Sequence, residues 1–240
     1  MPTAEPTPAP PSIRPYRTAD RAALADVCVR TAHNGGDSRA LYPDPRLLPA
    51  IFAEPYCHYD PDLAFVLDDG TGRAVGYIVG TADTERFVEE FRGDWIPRLA
   101  GRYPEPTDPP GTKPDTRPDT SRGTTPGTPT EEMIRLLHHP ERMLVPELAA
   151  YPAHLHIDLL PPWQGRGHGR RLMHAFLDAL RLQGVEAVHL GMVTVNTGAR
   201  AFYDRLGFHE IPVPDAGPLT YLGRATARRR PGADGGVRTG

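Results

Sequence analysis

Apolar positions along the chain switch between helical and alternating spacing, and the order of the switches predicts helices and strands layered on each other. Between Asp20 and Ala32, Ala23, Leu24, Val27 and Cys28 recur three or four residues apart behind Asp20, a good helix cap, and Asn34-Gly35-Gly36 ends the run. The spacing predicts an amphipathic helix. A second helix is expected from about Asp44 to Ala53, with Pro45 in the first turn, where no intrahelical donor is lost. Leu63 to Leu67 and Ala74 to Gly80 flank the turn sequence Asp68 to Arg73 and read as an antiparallel hairpin. From Thr84 to Arg102, Phe87, Val88, Phe91, Trp95 and Leu99 restore helical spacing, and Glu131 to His138 reads as a further short helix.

The last third repeats the strand-to-helix switch. Leu155 to Leu160 is an apolar strand, Pro161 to Gly167 a turn, and Gly169 to Leu182 a helix with Leu172, Met173, Phe176, Leu177 and Leu180 on one face. Gly184 stops it. Ala187 to Val193 is the next strand, Thr197 to Leu206 the next helix, and Gly207 stands where a left-handed residue is expected. Phe208 to Ile211 and Leu219 to Arg224 close the pattern as strands, giving a mixed α/β layer without internal repeat.

Composition changes this outline at its ends and in its middle. The chain has 240 residues, 39% hydrophobic and 24% charged, which suits a globular protein, but its 29 prolines are clustered. Met1 to Ser12 alternates proline with small residues, and eight prolines lie between Pro104 and Pro129, so a disordered leader (1–12) and a disordered insertion (about 104–130) are expected. Together with a tail at 226–240, they bracket a single domain over 13–225. Twenty-seven basic residues against 30 acidic ones give a net charge of −3, which supports no nucleic-acid or membrane footprint. No apolar run is long enough to span a bilayer, and Cys28 and Cys57 offer neither a disulfide framework nor a cysteine-built metal site, so a cytoplasmic protein is expected. His138, His139, His154 and His156 lack ligand-like spacing, and no metal is expected.

The chemistry concentrates at Gln164-Gly165-Arg166-Gly167-His168-Gly169-Arg170, where an apolar strand runs into an amphipathic helix. Glycines admit close approach of an anion, and the first N–H groups of a helix have no partner within it, so a diphosphate can accept them. Arg166 and Arg170 add charge. The alternative is a glycine turn that only lets helix and strand pack closely. Walker and Rossmann spacings are both absent.

Gln164-x-x-Gly167-x-Gly169 after a strand ending Leu159-Leu160-Pro161 resembles the cofactor motif of the GNAT family of N-acetyltransferases. Asn196, Ala199, Phe202, Tyr203, Gly207 and Phe208 stand as in that family's Asn-x-x-Ala-x-x-Phe-Tyr-x-x-x-Gly-Phe segment. The similarity runs from Ile13 to about Arg224, apart from a Thr84 to Tyr151 region longer than usual. It implies an α/β (α+β) fold whose central mixed, mostly antiparallel sheet splays at the fourth and fifth strands, with helices on both faces. It also implies acetyl-CoA, or a related acyl-CoA, as co-substrate, an amine acceptor that is a small molecule or a protein, and a homodimer through the final strands. Main-chain groups at Leu159 and Leu160 would meet the pantetheine arm, the amides of Gly165, Arg166, Gly167, His168, Gly169 and Arg170 the pyrophosphate beside Gln164, and Asn196 the cofactor arm. Tyr203 would face the sulfur and protonate the leaving thiolate. Asn196 also reads as a helix cap, and Tyr203 as a core aromatic.

A base must accept the amine proton. Strand alternation places His156 and Asp158 on one face, with Asp158 as the base or as a paired structural acid; His154 and His156 are further candidates. Asp37, Asp44, Glu54 and Asp60 lean toward a cationic acceptor. A different reading is an inactive acyl-CoA-binding sensor or interaction module with the same fold. The stretches Trp95 to Pro104, His138 to Glu141 and Tyr151 to Asp158 are similar to bacterial acetyltransferases related to the acetyltransferase-like domain of the O-linked N-acetylglucosamine hydrolases.

Overall fold

The computed structural model describes residues 9–106 and 127–227. Most of the expected leader, insertion and tail lies outside them. At their edges, Ser12 already belongs to the first strand, Pro129 opens a helix, and Thr226 is buried with its hydroxyl donating to Val185 O.

The chain begins with β1 (Ser12–Pro15), then α1 (Arg21–Thr31), which buries Leu24, Val27, Cys28 and Thr31 and ends where Asn34 and Gly35 turn left-handed, at φ 52° and 85°. The expected second helix splits into α2 (Leu47–Phe52) and α3 (Glu54–Tyr59), the latter started by Pro55 and carrying the buried Tyr56. The hairpin is β2 (Phe65–Asp68) and β3 (Ala74–Thr81). The long helical stretch is α4 (Thr84–Glu90), capped by Asp83, a π-helical turn over Phe91–Trp95, and α5 (Ile96–Leu99). Then come α6 (Pro129–His138), held at its start by a Thr128–Glu131 capping box, β4 (Ala153–Leu159), α7 (His168–Leu182), β5 (Ala187–Val193), α8 (Thr197–Arg205), β6 (His209–Ile211) and β7 (Leu219–Ala225).

The strands form one sheet in the order β1-β2-β3-β4-β5-β7-β6. Every neighbouring pair is antiparallel except β4 with β5. α7 packs under β2, β3 and β4, and α1 covers β3 and β4 from the other face, so helices lie on both faces as expected. Burial of Leu172, Met173, Phe176, Leu177 and Leu180 anchors α7, at about 1.5–3 kcal/mol for each side chain removed from water. Gly80 permits the close approach: a Cβ there would stand 2.5 Å from Phe176 Cζ. Among the described residues no helix is long and apolar enough to cross a membrane.

The feature that positions the site is the unequal pairing of β4. Along β3 its register is continuous from His154 opposite Thr81 to Leu159 opposite Gly76. Along β5 it pairs only at Ala153–Val188 and His154–His189. Beyond His154 the two parallel strands part.

Candidate active site

Antiparallel pairs alternate between hydrogen-bonded and non-hydrogen-bonded positions. Leu160 N donates to Val75 O at 3.0 Å, so the main-chain groups of Asp158, His156 and His154 point to β3, and those of Leu159, Ile157 and Leu155 point to the parting with β5. The gap is therefore lined by main-chain groups of Ile157 and Leu159. Of the two leucines singled out in the sequence, Leu159 faces it, whereas Leu160 has its N–H engaged with β3. Ile157 was missed because only the register shows which way its amide points. Gln164 closes this end of the strand by donating from Nε2 to Leu159 O at 2.8 Å.

At the mouth of the gap the chain turns through Gly165 (φ 69°) and Gly167 (φ 80°), both left-handed and with open space where a Cβ would stand. The first amide of this segment to find a main-chain acceptor is Arg171, which donates to Gly167 O at 3.2 Å. The N–H groups of Gly165 to Arg170 have no acceptor among the described residues. Arg166 and Arg170 are exposed beside them, and His168 Nδ1 is buried without a partner. Gly169 brings α8 close, since a Cβ there would lie 3.2 Å from the Phe202 ring and 3.6 Å from Leu159 Cδ1. The turn thus packs helix and strand together and also leaves a row of free donors.

Asn196 caps α8, its Oδ1 accepting from Ala199 N at 3.0 Å. Tyr203, on α8, is buried against Phe202 and Phe208. Burial, and then the charge of Asp158, raise its phenol above the usual range, so it remains protonated at neutral pH. Asp158 and Tyr203 are thus within electrostatic reach of each other.

On the opposite face of β4, Asp158 Oδ2 accepts from Tyr77 OH at 2.7 Å. Burial pushes the carboxyl up, while the hydrogen bond from Tyr77 acts against that shift. His156 and His154 follow on the same face and converge on one phenol: Tyr56 OH lies 2.8 Å from His154 Nε2 and 3.1 Å from His156 Nε2. His154 Nδ1 meets Thr84 Oγ1 at 2.8 Å, and Thr84 Oγ1 donates to Pro152 O at 2.7 Å. Burial holds His154 well below the imidazole range; burial and then the charge of Arg142 lower His156 to about 4. Arg142 is exposed, its guanidinium has no hydrogen bond or ion pair among the described residues, and it acts electrostatically on Tyr56 and Tyr221 as well. Tyr56 and Thr84 carry no sequence signal, being 98 and 70 residues from His154.

The lean toward a cationic acceptor is not supported. Asp37, Asp44, Glu54 and Asp60 each sit against an arginine, at 2.5 Å from Arg39, 2.9 Å from Arg102, 2.8 Å from Arg21 and 2.6 Å from Arg86. His138 and His139 bind the carbonyls of Tyr103 and Arg135, and among the described residues no group of three or more His, Cys, Asp or Glu side chains is placed to hold a metal.

The Acetyltransferase (GNAT) family model matches residues 133–208, the segment holding β4, the glycine turn, α7, β5 and α8. The chain is 63% identical to a protein named SsHAT, whose crystal structure superposes with a TM-score of 0.81 over 92% of this chain and 100% of that one. The chain belongs to the GNAT family. Its fold is the GNAT fold, and a 16% identical structure, PH1933 from Pyrococcus horikoshii OT3, shares it with a TM-score of 0.54 over 90% of this chain and 98% of that one. The chain is also 26% identical over 218 residues to Protein O-GlcNAcase of Rattus norvegicus, covering 89% of this chain and 22% of that protein. The chain thus spans about a fifth of the length of the curated relatives it matches. This GNAT chain carries the resemblance to the acetyltransferase-like part of that lineage noted in its sequence.

Proposed function

We propose that the chain is an acetyl-CoA-dependent N-acetyltransferase that transfers the acetyl group to an amine by direct attack on the thioester. The observation that carries this reading is the parting of β4 from β5 directly beside the α7 N-terminus, where six consecutive amides have no acceptor among the described residues. A diphosphate fits that row, aided by the helix dipole and by Arg166 and Arg170. The main-chain groups of Ile157 and the N–H of Leu159, whose carbonyl Gln164 engages, suit the amides of a pantetheine arm, which would lie in the gap like an added strand. Asn196 has its Oδ1 engaged in the cap, and its amide NH₂ is left to donate to the same arm.

The thioester supplies the activated acyl group; the protein orients it and handles the protons. Tyr203, neutral and buried at the α8 side, is a donor for the departing sulfur. The His156–Asp158 face of β4 is where the amine proton has acceptors. The test is incubation of the full chain with acetyl-CoA and a panel of primary amines, with free thiol followed by colour and acceptors by mass. Amine-dependent thiol release with an acetylated product is expected. Acetyl-CoA binding without amine-dependent release would instead support the sensor reading.

A further inference from the structure

Three side chains around His156 fix where its protons lie. Pro152 O accepts from Thr84 N at 2.8 Å and lies 2.7 Å from Thr84 Oγ1. A carbonyl and a hydroxyl oxygen that close need a proton between them, and only the hydroxyl has one, so Thr84 donates to Pro152. Its oxygen is then an acceptor, and the contact at 2.8 Å must be donated by His154 Nδ1–H. Burial keeps His154 neutral, so its Nε2 bears a lone pair, and the contact there is donated by Tyr56 OH. That uses the only proton on Tyr56, so the 3.1 Å contact to His156 is donated by His156 Nε2–H. In neutral His156 this leaves Nδ1 as the bare nitrogen. The His156 ring is partly exposed, and its Nδ1 has no partner among the described residues and is not sealed from solvent.

We propose that His156 is the general base of the acyl transfer, presented to the acceptor amine through Nδ1 in a tautomer fixed by Pro152 O, Thr84, His154 and Tyr56. This inference rests on the acetyltransferase reading and names which group on the β4 face takes the proton. Of the other candidates, Asp158 has Oδ2 engaged by Tyr77, and His154 has both ring nitrogens engaged, by Tyr56 and Thr84. As the amine nitrogen bonds to the acyl carbon, one N–H proton passes to His156 Nδ1. The C–S bond breaks with its electron pair going to sulfur, and sulfur takes the Tyr203 proton. His156 then loses its proton to water and Tyr203 regains one, which closes the balance. Thr84, His154 and Tyr56 are positioning residues. The groups around His156 that carry or change charge are Tyr56 from α3, His154 and Asp158 on its own strand, and Arg142, with His189 from β5 packed against His154 behind it.

The deciding experiment records long-range proton–nitrogen spectra of the full chain with nitrogen-15 histidine, assigned with His154→Gln and His156→Gln. Between about pH 6 and 8, His154 should show a protonated Nδ1 and His156 a protonated Nε2 with Nδ1 bare. In Tyr56→Phe, His156 should become a mixture of tautomers. A His156 protonated at Nδ1, or one titrating like a free histidine, would overturn the proposal, whatever the acceptor. In the thiol-release assay His156→Gln should lower kcat by about 100-fold or more while acetyl-CoA affinity stays unchanged, and wild-type turnover in that variant would also overturn it. Failure of the wild type to bind acetyl-CoA would sink the acetyltransferase reading instead, leaving the tautomer measurement standing.

Discussion

Tyr77 and Asp158 face each other directly across the β3–β4 ladder, and the phenol of Tyr77 donates to Asp158 Oδ2 at 2.7 Å. The bond satisfies a carboxylate that strand alternation places among apolar neighbours, at the widening side of the sheet. Tyr77→Phe should destabilise the protein by about 1–3 kcal/mol, because a buried acceptor loses its donor, and should raise the Asp158 pKa further. Asp158→Asn retains an acceptor for Tyr77 and should cost less. Urea unfolding of the three proteins at neutral pH checks the order.

Asn196 caps α8, and the proposed function gives its amide NH₂ a second duty toward the cofactor arm. Asn196→Ala should remove about 1 kcal/mol of capping and lower Tm by about 2–4 °C for a domain of this size. Asn196→Ser restores an acceptor for Ala199 N without the amide NH₂. It should recover the stability and leave acetyl-CoA binding weakened. Thermal melts alongside titrations separate the two effects.

The low His156 pKa makes stability depend on pH. With a folded value of about 4 against the ordinary 6.5, the unfolded chain binds this proton first on acidification. Stability is therefore fully present above pH 6.5 and is lost as pH falls toward 4, by about 3 kcal/mol for this group. His156→Gln should flatten that part of the stability profile. Arg142→Met should flatten it partly, by removing the charge that holds the imidazole down. Urea unfolding across the same range gives both slopes.

Tyr203→Phe preserves the ring packed against Phe208 and removes only the hydroxyl. Thiol release should fall by about 100-fold, with acetyl-CoA affinity and Tm near the wild type. A matched loss of affinity would show that the hydroxyl serves binding instead.

The turn and helix start on the proposed cofactor side were legible in the sequence because they depend on local features. Glycines at 165, 167 and 169, followed at once by the helical stripe Leu172 to Leu180, announce a turn into a helix N-terminus. Asn196 and Tyr203 fall at fixed offsets on one short helix. The acceptor side depends on contacts between distant segments. β1 was missed because four residues holding one strong strand former, Ile13, and ending in Pro15 give no period to read. α3 was missed because its six residues past Ala53 are too few to show a helical period, and Pro55 stands in their first turn. With α3 went Tyr56, the residue that joins the two strand histidines. Alternation correctly grouped His156 with Asp158, but the partner of each is set by the tertiary packing of α1, α3 and β3.

Calorimetric titration of acetyl-CoA into the wild type and Gly167→Asp tests the central claim most directly. Gly167 holds φ 80° in open space, so the substitution strains one turn by about 1–2 kcal/mol and sets a carboxylate beside the unpaired amides. Saturable binding by the wild type, weakened about 100-fold or more in a Gly167→Asp variant that still melts cooperatively, is the predicted result. No binding by the wild type, or equal affinity in the two proteins, would contradict it.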